Sequence, residues 1–323
     1  MFGKPADQIR IFFCADIHGS ERCFRKWINA ARAYKADALV FGGDLAGKIL
    51  QPVVDLGAGR HETNMYGDPL MADGPAELEA MIDRIRTAGR YEVVVTPDEK
   101  AALDASPELV HAKFVEAARA SATRWLELAD VRLREAGIPA FMMLGNDDFP
   151  EIGDVFDQSE MVTNPEDRVV ELPGGYEMIS LGYSNPTPWS SPRELTEEAL
   201  APRLEAMASR LADPGKSIFN FHVPPVRTHI DQAAMLDADF TPITRGGQVQ
   251  VGSVGSSAVR ELIEHYQPML SLHGHIHESP GMSRIGPTIA INPGSDYADG
   301  ILRGALVTID RKKGVRGWQL TQG

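Results

Sequence analysis

Five times along this chain a short apolar run breaks off onto Gly, Asp, Asn or His. IFFCA leads into Asp16-Ile17-His18-Gly19, ALVF into Gly42-Gly43-Asp44, and FMML into Gly145-Asn146-Asp147-Asp148. SIFNF leads into His222-Val223-Pro224 and MLSL into Gly274-His275-Ile276-His277. Apolar runs this short, bounded by turn residues, read as strands buried on both faces. Such segments recur at residues 9–15, 38–41, 140–144, 177–181, 217–221, 269–272 and 288–291. Helix-like stretches at 21–34, 194–211 and 256–266 alternate with several of them. That alternation predicts an α/β chain, in which ligands gather outside the carboxyl ends of the strands.

Taken singly, each motif has a bland explanation. Asp-x-His at a strand end can be a turn aspartate beside an exposed histidine, Gly-Gly-Asp is a common turn, and His222 alone reads as a satisfied core histidine. Gly-His-x-His is more pointed, because imidazoles two residues apart can both reach one ion pair where a strand opens into a loop. All five in one α/β pattern predict a metal site built from Asp16, His18, Asp44, Asn146, His222, His275 and His277. Carboxylate, imidazole and amide donors without thiolate suit Mn²⁺, Fe²⁺ or Fe³⁺, Zn²⁺ or Co²⁺, whereas Mg²⁺ prefers more oxygen. Two such ions about 3.5–4 Å apart can bridge a hydroxide nucleophile and clamp an in-line displacement at phosphorus. The predicted reaction is phosphoester hydrolysis.

Composition narrows the partners. The 323 residues can bury a large core, and a net charge of −13 argues against wrapping duplex nucleic acid, which needs clustered Lys and Arg. A small phosphoester or nucleotide-like substrate fits instead. The only cysteines, Cys14 and Cys23, imply no disulfide framework, and no run approaches 18 apolar residues. The first residues, MFGKPADQIRIFF, lack an apolar signal core, so a cytoplasmic protein off the membrane is expected. Residues 47–137 depart from the alternation. They open with a Gly/Pro-bearing stretch at 57–74 and then turn strongly helical, with Ser106-Pro107-Glu108 as an N-terminal signature. Val110, Phe114, Ala117, Ser121, Trp125 and Leu128 follow at helical spacing and predict a face packed on the core. The segment is expected to be a helical insertion in a single domain spanning 1–323, and residues 224–255 a lid-like loop.

The ordered motifs resemble the calcineurin-like metallophosphoesterases, whose pattern is D-x-H, G-D, G-N-H-[D/E], H and G-H-x-H. HVPPVRTHID, GSSAVRELIEHYQP, HGHIHES and INPGSDY further resemble the branch of phosphoesterases described as related to the Icc protein. The resemblance runs from Asp16 to His277 and implies a four-layer α/β/β/α sandwich, two mixed sheets flanked by helices. It implies that Asp16, His18 and His277 hold one metal, that Asn146, His222 and His275 hold the other, and that Asp44 bridges them. Asn292-Pro293-Gly294-Ser295 looks like the family's closing turn.

One position departs from that pattern: Asp147 stands where most members have the histidine assigned to leaving-group protonation. Asp147, Asp148 and His222 are therefore the candidate catalytic residues. Asp147 is expected either to be held protonated beside Asp148 and act as the acid, or to bind a water or substrate group. A metal-stabilised scaffold with little turnover is the alternative reading. His273 is expected to support its neighbours from the core, and Lys48 to be solvated rather than on a phosphate. Thr228, His229 and Asp231 are candidate substrate contacts by position alone, and His61, His111 and His265 are expected at the surface. Substrate, native metals and oligomeric state are not legible.

Overall fold

The first strand, Gln8–Cys14, shows why the apolar runs carry no polar alternation. In this computed structural model Ile9, Ile11 and Phe13 face one apolar cluster while Phe12 and Cys14 face another. Both faces are covered, so every second residue must be apolar on each side. At about 1.5–3 kcal/mol per fully buried large side chain, Ile11, Phe12 and Phe13 commit this strand to the centre of its sheet. The description covers residues 8–323. Residues 1–7, which begin the 1–323 span and the segment read for a signal sequence, lie outside the described residues.

Two six-stranded mixed sheets form the centre. The first runs Gly314–Gln322, Arg303–Asp310, Gln8–Cys14, Ala38–Phe41, Ala140–Met142, Val162–Thr163. The second runs Gly281–Ile285, Thr288–Asn292, Leu270–Leu272, Ile218–Phe221, Tyr176–Leu181, Val169–Leu172. Parallel pairing, with Ile11 opposite Ala38 and Leu39 opposite Ala140, brings the carboxyl ends of three strands to one edge of the first sheet. Met178 opposite Ile218 and Ile218 opposite Leu270 do the same in the second. The sheets meet through Phe13, Val40, Met178, Ile218 and Leu272, and helices cover both outer faces. The fold is the four-layer α/β/β/α sandwich that the resemblance implied.

Helix Glu21–Ala33 and the long helix Pro107–Ala136 form one outer layer, where Phe24 stacks on Trp125 with ring centroids 4.6 Å apart. Ser106 caps the long helix by accepting from Leu109 N, with Pro107 in the first turn and Gly137 left-handed at its end. Phe114, Ser121 and Trp125 of the expected stripe are buried, whereas Val110 lies exposed at the helix start. Residues 47–137 differ from a purely helical segment. They include a four-stranded sheet in the order Asp68–Asp73, Arg60–Met65, Ile49–Gly57, Arg90–Val95, with helix Pro75–Thr87 packed on Val53, Met65 and Ala72. The Gly/Pro-bearing stretch at 57–74 is two hairpins. Tyr66 and Gly67, at φ 58° and 91°, make the two-residue left-handed turn that closes Met65 onto Asp68.

Residues 224–255 fold into a β-arm in which Gln232–Ala234 pairs with Val251–Ser253 and Thr244–Arg245 with Gln248–Val249. Buried Asp231 clamps its base, accepting from Arg227 N at 3.0 Å, Thr228 N at 2.9 Å and Gly255 N at 3.2 Å. Asp231 and Thr228, candidate substrate contacts by position, are thus occupied in shaping the turn, while His229 is exposed. Among the described residues no helix is long and apolar enough to cross a membrane.

Candidate metal centre

The strand ends turn into the site through a backbone that most residues avoid. Asp16, His18, Asp44 and His275 all have positive φ, at 56°, 38°, 57° and 68°. Such left-handed residues cost energy and persist where the surroundings over-determine them. Here the turns lock onto one another. Asp16 N donates to Gly43 O at 2.9 Å, His18 N to Asp44 O at 3.1 Å, and His275 N to the Asp16 carboxylate at 3.0 Å. The glycines permit this approach. A Cβ on Gly145 would lie 2.1 Å from Asp44 Oδ1, and one on Gly274 would lie 2.3 Å from Asp16 Oδ2. Gly145→Ala should therefore push Asp44 out of place, lowering metal content and reducing kcat/KM about 10- to 100-fold. Metal analysis beside kinetics checks this, and a fully loaded, fully active variant would contradict it.

All seven side chains named from the sequence converge. Donor atoms of Asp16, His18 and His277 lie within 4.8 Å of one another, and so do those of Asp44, His222 and His275. Asp44 Oδ2 stands between the groups, 3.5 Å from His18 Nε2 and 3.4 Å from His222 Nε2. Asn146 Oδ1 is 2.8 Å from His275 Nδ1. The arrangement suits cations better than its own protons. His18 Nε2 and His277 Nε2 face each other at 3.1 Å, although each neutral ring has only one donor to offer. His222 Nδ1 donates to Gly42 O at 2.8 Å, which keeps the neutral ring's proton on Nδ1 and turns Nε2 inward as an acceptor. That buried Nε2 has no hydrogen-bond partner. Carboxylate, imidazole and amide donors around an orphaned nitrogen fit a pair of divalent ions.

Electrostatics say the same. Burial opposes ionisation of Asp16 and Asp44, but the imidazoles outweigh it: His277 and His222 hold Asp16 below the usual carboxylate range, and His222 and His18 hold Asp44 well below it. Burial alone would lower His222, yet Asp44 and Asp16 push it up to about 9. Burial drops His18 to about 3 and His275 to about 4. Without cations the two carboxylates draw a proton onto His222, and a bound cation displaces it.

The neighbours divide the catalytic candidates. Asp148 is fully buried and faces backbone: Oδ2 accepts from Leu45 N at 2.9 Å and Gly145 N at 2.7 Å, and Oδ1 from Ala46 N at 2.7 Å. These bonds join the loops of Asp44 and Asn146. Asp147 keeps some exposure. Its Oδ1 accepts from Asn146 Nδ2 at 2.9 Å and Ser191 Oγ at 2.5 Å, and its Oδ2 pairs with Lys48. Lys48 is therefore not the freely solvated residue expected. Burial disfavours its charge, but Asp147 and Asp44 outweigh that and raise its pKa above the ordinary lysine value. Buried His273 contacts Phe221 O at 2.9 Å and Val223 O at 3.1 Å, bracing the strand end that carries His222. Of the closing turn, Asn292 Nδ2 donates to Ile276 O at 2.8 Å and Ser295 Oγ to Asp16 O at 2.6 Å. His111 is largely exposed, whereas His61 is mostly covered, 4.0 Å from Asp55.

Sequence reasoning missed Ser191, Tyr297 and Arg193. Ser191 carries no signal in WSSPRE, and Tyr297, its ring centroid 4.6 Å from that of His18, was visible only as the second residue after the closing turn. Arg193, buried and stacked over Tyr183, donates to Gly145 O at 3.1 Å and pairs with Glu166.

This is the site and sandwich of a phosphoesterase fold built to hold divalent metal. The family model for calcineurin-like phosphoesterases matches residues 9–279, and the chain belongs to that family. An uncharacterised protein of Methanocaldococcus jannaschii, MJ1162, is 34% identical over 130 residues, covering 39% of this chain and 52% of that one. The chain thus spans about half the length of the curated relative it matches. Among solved structures, TT1561 of Thermus thermophilus aligns with 98% of both chains at a TM-score of 0.51 and 17% identity. Another covers 98% of this chain and 99% of its own at a TM-score of 0.53 and 14% identity. These two likenesses are of fold.

Proposed function

We propose that the chain is a dinuclear metal-dependent phosphoester hydrolase that favours phosphodiesters. The observation that carries the reading is the pair of neighbouring donor groups, Asp16, His18 and His277 beside Asp44, His222 and His275, with Asp44 Oδ2 also 3.5 Å from His18 Nε2. In it Asp16, His18 and His277 would hold one ion, Asn146, His222 and His275 the other, and Asp44 would contribute to both. Two bound divalent ions would neutralise phosphoryl charge and activate the attacking water. The protein's own groups fix the geometry: Gly42 O sets the His222 tautomer, and the Asp16 carboxylate holds the His275 backbone. Asp147 acts as an acceptor in this reading, not as the leaving-group acid, because Asn146, Ser191 and Lys48 already occupy its oxygens. A diester brings one negative charge where a monoester brings two, which suits a centre with Asp147 at its mouth.

The test compares an aryl phosphodiester with the matching monoester in the presence of Mn²⁺. A higher kcat/KM for the diester is expected. A large excess for the monoester would overturn the preference, and two bound metals with no turnover on either would overturn the enzyme reading. Chelation should abolish turnover and lower Tm. Ions held at a hundredfold above their Kd contribute about 2.7 kcal/mol to the folded state, which chelation removes.

A further inference from the structure

Lys48 stands at a place where an ordinary surface lysine would not be fixed. The backbone before it is anchored residue by residue. Leu45 N and Ala46 N are held by Asp148, and Gly47 N donates to the Tyr91 hydroxyl at 2.9 Å. A Cβ on Gly47 would fall 2.1 Å from Gly89 O, so that loop is pressed against the next turn. The strand Ile49–Gly57 begins immediately after it, with Ile49 in register with Arg90. Between these anchors the side chain, 45% exposed, reaches back to Asp147. A carboxylate oxygen of Asp147 lies within 4.8 Å of donor atoms of His18 and Asp44.

An exposed Lys–Asp pair contributes about 0–1 kcal/mol and needs no further explanation. This pair differs in its surroundings. Its carboxylate is also held by Ser191 and Asn146, and Asn146 belongs to the donor set. An ammonium has three donors, and Asp147 is its one ion-pair partner among the described residues. With the side chain 45% exposed, its remaining donors are open to a ligand that carries anionic oxygens, as in a point-charge phosphate contact.

We propose that Lys48, aligned by Asp147, binds a non-bridging oxygen of the substrate's phosphoryl group. The proposal rests on reading the centre as a phosphoester site. Asp147 is then a positioning residue, and Ser191 fixes the carboxylate that fixes the lysine. No proton changes hands.

The experiment measures binding of inorganic phosphate by calorimetry to the Mn²⁺-loaded protein, with metal content and kcat/KM recorded for the same samples. Lys48→Met should weaken phosphate binding about 10- to 100-fold with metal content unchanged, Lys48→Arg should recover most of the loss, and Asp147→Asn should fall between. Lys113→Met is the charge control, since Lys113 is 44% exposed and its one ion-pair partner among the described residues is Glu116 on its own helix. It should match the wild type. Phosphate affinity of Lys48→Met within twofold of wild type, or a loss tracking lost metal, overturns the proposal. Wild-type protein that binds metal and phosphate but hydrolyses no phosphoester would defeat the proposed function while leaving the role of Lys48 standing.

Discussion

Asp44→Asn is expected to lower kcat/KM by about three orders of magnitude or more while leaving the protein folded. The substitution keeps the shape of the side chain and an oxygen for the Asp147 backbone N–H, which donates to Asp44 Oδ1 at 3.0 Å. What it removes is the negative charge between His18 and His222, whose Nε2 atoms lie 3.5 and 3.4 Å from Asp44 Oδ2. The new amide can donate towards those ring nitrogens, so the fold loses no buried partner and stability should change little. The second donor group loses its carboxylate, which also faces His18, and metal content should fall below two per chain. His222 supplies an independent readout. Asp44 is the chief group opposing the effect of burial on this ring, so the imidazole, now near 9, should titrate well below that in the metal-free variant. Circular dichroism, metal analysis and ring proton shifts together check the assignment. Two bound metals and activity within about tenfold of wild type would remove Asp44 from the bridging position.

How much of this was legible depends on the range over which each signal acts. The seven donors and the central strands are written locally, because a strand buried on both faces must be an apolar run and a ligand at its end must break that run. IFFCA before Asp16 carries both messages. The edge strand Gly314–Gln322 carries neither, since it is largely polar and exposed, and the small hairpin sheet within 47–137 hid behind glycines that mark two turns. The partners of Asp148 and Lys48 were out of reach for another reason. Asp148 bonds to Leu45 across 103 residues of chain, and nothing near Gly145-Asn146-Asp147-Asp148 states that the Gly-Gly-Asp loop will lie against it. Spacing therefore picked out candidate donors but not the surroundings of two neighbours: the Asp148 carboxylate faces three backbone N–H groups, and Lys48 pairs with Asp147.

Asp148→Ala should be the most destabilising single change at the site. It strips one acceptor group from three buried backbone donors, Leu45 N, Ala46 N and Gly145 N. At about 1–3 kcal/mol for each unsatisfied group, the loss approaches the whole stability of a marginal domain unless water enters the gap. The isosteric Asp148→Asn sharpens the argument. Its single oxygen can serve Leu45 and Gly145 in place of Oδ2, but the amide nitrogen then points at the Ala46 N–H, donor against donor, so even this variant should unfold at lower denaturant. In a catalytic-acid role the same variant would keep its stability and lose rate on poor leaving groups instead. The carboxyl itself is pushed up to about 7, first by burial and then by Asp44, against the pull of those three N–H groups. Its folded value therefore lies above its unfolded one. In the metal-free protein the folded chain keeps a proton that the unfolded chain has lost, so this group's contribution falls as pH rises from about 4 to about 7. Divalent cations offset the repulsion from Asp44, so the rise in Tm on adding Mn²⁺ should be larger at pH 8 than at pH 5. In Asp148→Asn that difference should shrink, leaving only the part owed to protons displaced from the histidines. A variant as stable as wild type, with an undiminished pH dependence of the metal effect, would show that Asp148 does not hold the two loops together.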